Sequence, residues 1–198
     1  MICCLVTDRR RLCPGAASWV QERQAVVEQA RAAARAGIDF IQIRERDLDA
    51  AHLAALVDDV VAATRGSSSR VLVNDRVDIA LACGADGAHL RADSIPASAV
   101  RRAAPRGFVI SQAVHTVAEA SLPDVDFLIA GTVFPTPSKG EAAPILGLDG
   151  LARIAAASRV PVLAIGGVTR ERIAEVLRTG AAGVAAIGMF IDSVRQPP

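Results

Sequence analysis

The sequence predicts an α/β fold, a short (β/α)8 or TIM barrel made by one domain over residues 1–198. Short apolar segments of strand type alternate with amphipathic helical segments, the pattern of a parallel sheet covered by helices. The helix-to-strand joints also repeat: Gly37-Ile38-Asp39, Gly84-Ala85-Asp86 and Gly180-Ala181-Ala182 each introduce a strand, and Asp124-Val125-Asp126 is a looser copy. The alternative, an open doubly wound sheet, is disfavoured because no glycine-rich fingerprint follows the first strand.

Composition narrows the class of protein. Hydrophobic residues make up 52% of the chain and aromatic residues 3%, so the core is built of Ala, Val, Ile and Leu, as in buried parallel strands. The net charge of +1 and the mixing of both signs argue against a nucleic-acid surface. No apolar run is long enough to span a membrane. The first residues lack a basic signal-peptide region and the cysteines lack metal or redox spacing, so a cytoplasmic location is expected.

The first half of the chain predicts four strands, at Ile2–Val6, Asp39–Ile43, Val71–Val73 and Gly87–Leu90. A polar loop is expected over residues 7–11. Three helices are predicted, one capped by Ser18 and reaching about Ala36, one over Asp49–Thr64 and one over Val77–Cys83. Gly37 suits the left-handed position that follows a helix.

The second half predicts four more strands, at Phe108–Ser111, Asp126–Ala130, Val162–Ile165 and Gly183–Ile187. Pro96 suits the first turn of a helix, because proline needs no backbone donor there. Asp149 is the expected cap of the sixth helix and Thr169 that of the seventh. A long loop is expected over residues 131–148.

The last two strands both end in glycine, which predicts a phosphate site. Gly166 and Gly167 follow the seventh strand, and Gly188 follows the eighth. Glycine lets backbone N–H groups approach an anion, and the start of a helix adds partial positive charge. Parallel β/α barrels usually bind phosphate at these two positions. A tight strand-to-helix turn without a ligand is the alternative.

Reactive side chains follow the other strands, where a barrel places its active site. They are Arg44, Arg46, Asn74, Asp75, His89, Arg91, His115 and Lys139. The four cationic groups among them would repel one another without anions, which predicts a substrate carrying phosphate or pyrophosphate.

Three of these residues have alternative roles. Asp75 is the metal candidate, because one carboxylate beside phosphates is enough to hold Mg²⁺; capping a helix is its other role. His89 lies within an apolar strand, which suits a wall residue better than a ligand. His115 lies in a loop after a strand, where acid/base and structural roles are equally open.

Five motifs, in order along nearly the whole chain, resemble those of a known family. They are residues 40–46 (FIQIRER), 73–80 (VNDRVDIA), 84–90 (GADGAHL), 133–139 (VFPTPSK) and 164–167 (AIGG). The sequence resembles thiamine-phosphate synthase and its relative thiazole tautomerase. The resemblance implies thiamine biosynthesis: a hydroxymethylpyrimidine pyrophosphate loses pyrophosphate, and the nitrogen of a thiazole phosphate captures the pyrimidine cation.

The resemblance also assigns roles. It implies that Arg44, Asn74 and Lys139 hold the pyrophosphate and that Asp75 holds Mg²⁺. It also implies that the substrates are contacted by Gln42, Arg46, His89, Thr136 and Ser138. The thiazole phosphate is expected to bind at Gly166, Gly167 and Gly188. The expected partners are therefore small phosphorylated molecules, with neither nucleic acid nor membrane; a homo-oligomer is left open.

The chain departs from the synthase pattern at several positions. Arg46 replaces the usual lysine, and Ala113 and Gly188 replace usual serines. The family commonly has Gly-Gln-x-Asp where Arg91-Ala92-Asp93-Ser94 stands, so Ser94 replaces the second metal ligand; Asp93 is a candidate substitute. His115 also suits a metal-free tautomerase. A Mg²⁺-dependent synthase, favoured by the 133–139 motif, a tautomerase and a non-catalytic phosphate-binding barrel are the three hypotheses.

Overall fold

The structure, a computed structural model, describes residues 1–136 and 144–195. Eight parallel strands pair in sequence order, and the last, β8, pairs with the first, β1, to close a barrel. The predicted (β/α)8 barrel is therefore confirmed. The strands are β1 Ile2–Val6, β2 Phe40–Ile43, β3 Arg70–Asn74, β4 Gly87–Leu90, β5 Val109–Val114, β6 Phe127–Gly131, β7 Val162–Ile165 and β8 Gly183–Ala186.

Helices cover the outside of the barrel. They are α1 Arg9–Leu12, α2 Trp19–Arg35, α3 Ala50–Thr64, α4 Val77–Ala82, α5 Ala97–Ala103, a 3-10 helix Val117–Ser121, α6 Gly147–Ala157, α7 Ile173–Arg178 and α8 Gly188–Arg195. The predicted Ser18 cap is confirmed, since its side chain accepts the N–H of Gln21. Asp49, predicted as the first residue of a helix, is instead the cap of α3 and accepts the N–H of His52. Within the described residues, no helix has the length and apolar character needed to cross a bilayer.

The first and sixth helices differ from the prediction. The loop predicted over residues 7–11 contains α1, because the Asp8 carboxylate accepts the N–H of Arg11 at 3.1 Å and caps a short helical turn. The sixth helix begins before Asp149, which lies in its first turn rather than at its cap. An acidic side chain is still favourable there, because it faces the positive end of the helix dipole.

The seventh helix begins four residues after Thr169, so the predicted Thr169 cap is wrong. The carbonyl of Thr169 instead accepts the N–H of Arg172 at 3.2 Å in a turn between the strand and the helix. Pro96 is the residue before α5 rather than its first, a difference of one position. β5 continues to Val114, beyond the predicted Ser111, which carries its end toward the cavity described below.

Alternation along the strands separates two apolar layers. Cys4 and Val6 of β1 pack inside the barrel with Leu72 and Leu163, while Leu5 between them packs toward the helices. Successive side chains of a strand point to opposite faces, which explains the division. The interior layer forms the floor of the open end of the barrel.

The repeated helix-to-strand joint has a physical role at the opposite end of the barrel. An aspartate before each of β2, β4 and β6 accepts the N–H of the second residue in the preceding strand. The pairs are Asp39 with Cys3 at 2.8 Å, Asp86 with Val71 at 2.7 Å and Asp126 with Ile110 at 2.7 Å. The remaining copy, Gly180-Ala181-Ala182, has Ala182 at this position and so lacks the carboxylate.

We expect Asp86→Ala to lower the free energy of unfolding by about 1–3 kcal/mol, because the N–H of buried Val71 loses its acceptor. Urea unfolding measures the change. Asp59→Ala is the matched control, since that carboxylate is 42% exposed and pairs with the partly exposed Arg23 side chain, and an ion pair near the surface contributes less than about 1 kcal/mol. Equal losses in both variants would contradict the capping role.

Candidate active site

An open cavity of about 1540 Å³ lies at the carboxyl ends of the strands. Most of the predicted site residues line it: Gln42, Arg44, Arg46, Asn74, His89, His115, Thr136, Gly166, Gly167 and Gly188. Asp75 is not among its lining residues, and Ser138 and Lys139 lie outside the described residues. The structure therefore brings together side chains from β2 to β8 at one opening.

The cavity carries an excess of positive charge. Among the described residues that line it, six are arginines and three are acids: Arg11, Arg44, Arg46, Arg91, Arg170 and Arg172 against Asp8, Asp93 and Glu171. Burial lowers the pKa of the Arg44 guanidinium, and the neighbouring Arg46 charge lowers it further. Such crowding of like charges favours an anionic ligand.

A buried polar cluster fixes the start of the loop that carries Arg44. The hydroxyl of Thr7 donates to Glu45 at 2.7 Å and accepts the N–H of Arg44 at 3.0 Å. Arg9 donates to Glu45 at 3.1 Å and forks onto Asp47 at 2.6 Å. Burial raises the pKa of Glu45, while the bonds from Thr7 and Arg9 oppose that rise. The ends of β1 and β2 are thus held together beside Arg44.

The side chain of Gln42 has an oxygen that accepts no hydrogen bond from the described residues. Its amide nitrogen donates to Asn74 at 3.1 Å, and the residue is only 2% exposed. Its Oε1 atom is buried without a hydrogen-bond partner among the described residues. Leaving such an oxygen unpaired costs free energy, so the position suits a ligand that brings an N–H donor.

His89 is a neutral polar wall of the cavity. Its Nδ1 atom lies 2.9 Å from the hydroxyl of Ser111, which is fully buried. Burial lowers the pKa of His89 to about 4, and the Arg44 charge acts in the same direction. The ring is therefore uncharged at neutral pH, and both the expected wall position and a substrate contact fit this geometry.

His115 has the geometry of a base. Its Nδ1 atom lies 2.5 Å from the carbonyl oxygen of Gly131. A carbonyl only accepts, so Nδ1 carries a hydrogen, and Nε2 of the neutral ring keeps its lone pair. The backbone N–H of His115 donates to Glu119 at 2.6 Å and fixes the start of the loop.

Asp75 is held in place but does not cap a helix. It has a left-handed backbone with φ of 62°, and its N–H donates to the carbonyl of His89 at 2.8 Å. Its Oδ1 atom accepts the hydroxyl of Ser94, and its Oδ2 atom lies 3.6 Å from Arg91. The carboxylate thus contacts Arg91 and Ser94, two of the residues at which the chain departs from the family pattern.

The donor set at Asp75 fits a divalent cation only with help from a ligand. No group of three His, Cys, Asp or Glu side chains in the described part of the chain forms a metal site. One carboxylate and the Ser94 hydroxyl suit Mg²⁺, provided that phosphate oxygens and water complete its shell. The candidate substitute Asp93 is exposed and pairs with Arg91.

The two glycine sites differ in what surrounds them. A Cβ atom on Gly167, whose φ is 62°, would lie 2.5 Å from the carbonyl oxygen of Pro135, so this glycine is needed by the fold itself. Gly188 begins α8, and among the described residues a Cβ there would meet Arg11 alone, at 3.4 Å. The start of α8 therefore opens onto the cavity with an arginine beside it.

Most of the chain matches a known family. A family model described as thiamine monophosphate synthase matches residues 4–190. The chain belongs to the thiamine monophosphate synthase family. A thiamine-phosphate synthase of Methanoregula boonei is 41% identical over 83% of the chain and 77% of that protein. One from Roseiflexus castenholzii is 39% identical over 96% of the chain and 80% of that protein.

A solved structure of the same family has the same architecture. The thiamine phosphate pyrophosphorylase of Pyrococcus furiosus superposes with a TM-score of 0.78 at 34% identity. The match covers 94% of this chain and 85% of that one. The resemblance drawn from the five motifs is thereby confirmed.

Three arginines of this thiamine monophosphate synthase family member escaped the sequence prediction. Arg11 follows β1, and Arg170 and Arg172 follow β7, so all three obey the rule that found Arg44. Arg172 donates to the carbonyl of Gly167 at 3.0 Å and stacks over the ring of Phe134 at 4.4 Å. Applying the strand-end rule to these loops would have found them.

We expect the neutral His89 to make stability depend on pH. Unfolded histidine titrates near pH 6.5, so between about pH 6.5 and about pH 4 the unfolded chain binds a proton that the folded protein does not. The associated stability is present above that window and is lost as the pH falls through it. In His89→Gln, the loss of unfolding free energy from about pH 7.5 to about pH 4.5 should shrink by roughly 2 kcal/mol.

Urea unfolding at the two pH values measures this difference. His52→Gln is the control, because it removes a half-exposed imidazole from α3. If the two variants lose stability with acid to the same extent as the unmodified protein, His89 is not held neutral by burial.

Proposed function

We propose that the protein is a thiamine-phosphate synthase. It joins hydroxymethylpyrimidine pyrophosphate to thiazole phosphate and releases pyrophosphate. One observation carries the proposal: a single cavity has arginines after β2 and β4 and an open helix start after β8, with glycines after β7. A reaction between a diphosphate and a monophosphate needs two anion sites that face the same space.

The arginine side of the cavity suits the leaving group. When the pyrimidine C–O bond breaks, its electron pair leaves with the pyrophosphate, and negative charge grows on that oxygen. Arg44 and Arg46 supply fixed positive charge there, and Asn74 adds an amide. Lys139, in the matching motif, would add a point charge. Charges that are already in position cost no reorganisation when the bond breaks.

A magnesium ion is part of this proposal. Bound to the pyrophosphate, Mg²⁺ supplies further charge neutralisation for the leaving group. Asp75 would hold it, with the Ser94 hydroxyl as a neutral neighbour.

The pyrimidine ring fits the unsatisfied wall of the cavity. The amino group on this ring is an N–H donor, and the buried Oε1 atom of Gln42 is an acceptor without a partner in the described protein. The bond from Gln42 to Asn74 fixes the amide so that this oxygen is presented. Because His89 is uncharged, it does not repel the pyrimidine cation.

The thiazole phosphate fits the opposite side. The backbone at Gly188 and the first turn of α8 offer N–H groups, and Arg11 lies beside them. Anchoring the phosphate there would present the thiazole nitrogen, whose lone pair forms the new C–N bond. No proton has to be moved by a base in this step.

One observation favours a second candidate, thiazole tautomerase. The Nε2 atom of His115 keeps its lone pair in a ring that lines the cavity, as a proton-transfer reaction on a thiazole requires. That reaction has one phosphate to bind and needs no diphosphate site, so it leaves the cluster of arginines unexplained.

Paired substitutions separate the two reactions. For a synthase, Arg44→Ala should lower kcat by about 10²–10³-fold through lost charge stabilisation, and His115→Ala should have little effect. For a tautomerase, His115→Ala should cost about 10²–10⁴-fold and Arg44→Ala little.

Both variants are assayed on both substrate sets, with and without Mg²⁺, and each serves as the other's control. A stronger effect of His115→Ala than of Arg44→Ala would reject the synthase. Turnover with neither substrate set, alongside retained phosphate binding, would support a non-catalytic barrel.

We expect Gly188→Val to weaken binding of thiazole phosphate at least tenfold, about 1.4 kcal/mol, by blocking the start of α8. Gly188→Ser is the matched control, since serine is usual there in the family and adds a donor instead of bulk. Calorimetric titration measures both affinities. Equal affinities in the two variants would place the phosphate elsewhere. Gly167 is unsuitable for this test because any Cβ there strikes the Pro135 carbonyl.

A further inference from the structure

Arg91 links the cavity to the carboxylate of Asp75. It directly follows β4, lines the cavity and has a side chain 42% exposed. Its guanidinium lies 3.6 Å from Asp75 and also pairs with Asp93. Of these three residues, Asp75 alone does not line the cavity. The arginine therefore stands between the candidate metal ligand and the space where substrate would bind.

The turn that carries Arg91 also holds the other oxygen of Asp75. The backbone N–H of Arg91 donates to the hydroxyl of Ser94 at 2.8 Å, and that hydroxyl donates to Oδ1 of Asp75. The guanidinium faces Oδ2. One short turn thus supplies a hydrogen bond to one oxygen of the carboxylate and a positive charge beside the other.

A guanidinium and a divalent cation compete for the same carboxylate. Both are drawn to Oδ2, and they repel each other at such short range. Binding of a metal ion at Asp75 therefore requires Arg91 to turn away. The cavity beside it already holds Arg44 and Arg46, so an arginine moving inward is stabilised only if an anion enters with it.

We propose that Arg91 is a diphosphate-binding residue that exchanges partners: its guanidinium passes from Asp75 to the diphosphate, and Asp75 is thereby released to the metal ion. This inference rests on the proposed synthase and adds a residue and an order to its substrate binding. Metal and diphosphate then enter the site together, and Asp75 alone is a poor metal ligand.

Two binary titrations of the full-length protein test the exchange. Mn²⁺ alone is titrated by electron paramagnetic resonance, and inorganic diphosphate alone is titrated by calorimetry in the presence of a chelator. In Arg91→Ala we expect Mn²⁺ affinity to rise and diphosphate affinity to fall, each by about tenfold. A damaged fold would lower both affinities, so the opposite signs identify the exchange.

General loss of positive charge would act in the same two directions, so a charge-matched control is needed. Arg170→Ala removes an arginine from the same cavity but after β7, across the barrel from Asp75, which follows β3. We expect it to raise Mn²⁺ affinity much less than Arg91→Ala does. Equal rises in the two variants, or no rise in Arg91→Ala, would overturn the proposal.

A second variant tests the same site without removing the arginine. Ser94→Asp adds a carboxylate beside Asp75, and we expect it to strengthen Mn²⁺ binding with Arg91 in place. Unchanged binding in Ser94→Asp would also count against a metal position at Asp75. Neither titration depends on turnover: if the protein fails as a synthase yet shows the opposite shifts, only the proposed function is lost.

Discussion

Closure of the barrel is the constraint on which the site depends. β8 pairs with β1 at a point where a Cβ on Gly183 would lie 1.9 Å from the carbonyl oxygen of Ile2. Only glycine allows this approach. Because the sheet closes with all strands parallel, their carboxyl ends meet around one opening, and side chains far apart in sequence share it. An open sheet would have left Gly188 and Arg44 facing different spaces.

The two ends of the barrel divide the work. At the amino ends of the strands, Asp39, Asp86 and Asp126 satisfy backbone N–H groups and do not line the cavity. At the carboxyl ends, charges of one sign are crowded, which costs stability unless an anion binds. The buried cluster around Glu45 holds the backbone at Arg44 in place despite this repulsion. Thr7 accepts the N–H of Arg44, and Thr7 and Arg9 both donate to Glu45.

Periodicity and the strand-end rule carried the prediction a long way. The strands, their order and the convergence of Arg44, Asn74, His89 and Gly188 follow from apolar runs and from where each run stops. Local side-chain chemistry was harder. Threonine is a residue type that often caps helices, yet the carbonyl of Thr169 accepts a hydrogen bond within the turn after Gly167. As a result, α7 begins only at Ile173. Likewise, the unpaired oxygen of Gln42 depends on its partner on the next strand, which no local pattern specifies.

The turn after β4 shows why single substitutions mislead in isolation. When the sequence is compared with the family pattern position by position, Ser94 replaces an expected metal ligand and Arg91 replaces a glycine, and the two changes look unrelated. In the structure both contact the same carboxylate. Relative to the family pattern, each change makes the turn more positive by one charge. Without the aspartate at position 94, the turn attracts a metal ion less strongly. The guanidinium of Arg91 supplies positive charge from the protein itself. Asp75 stays compensated, so the two departures are best understood as one change in how charge is supplied to the diphosphate.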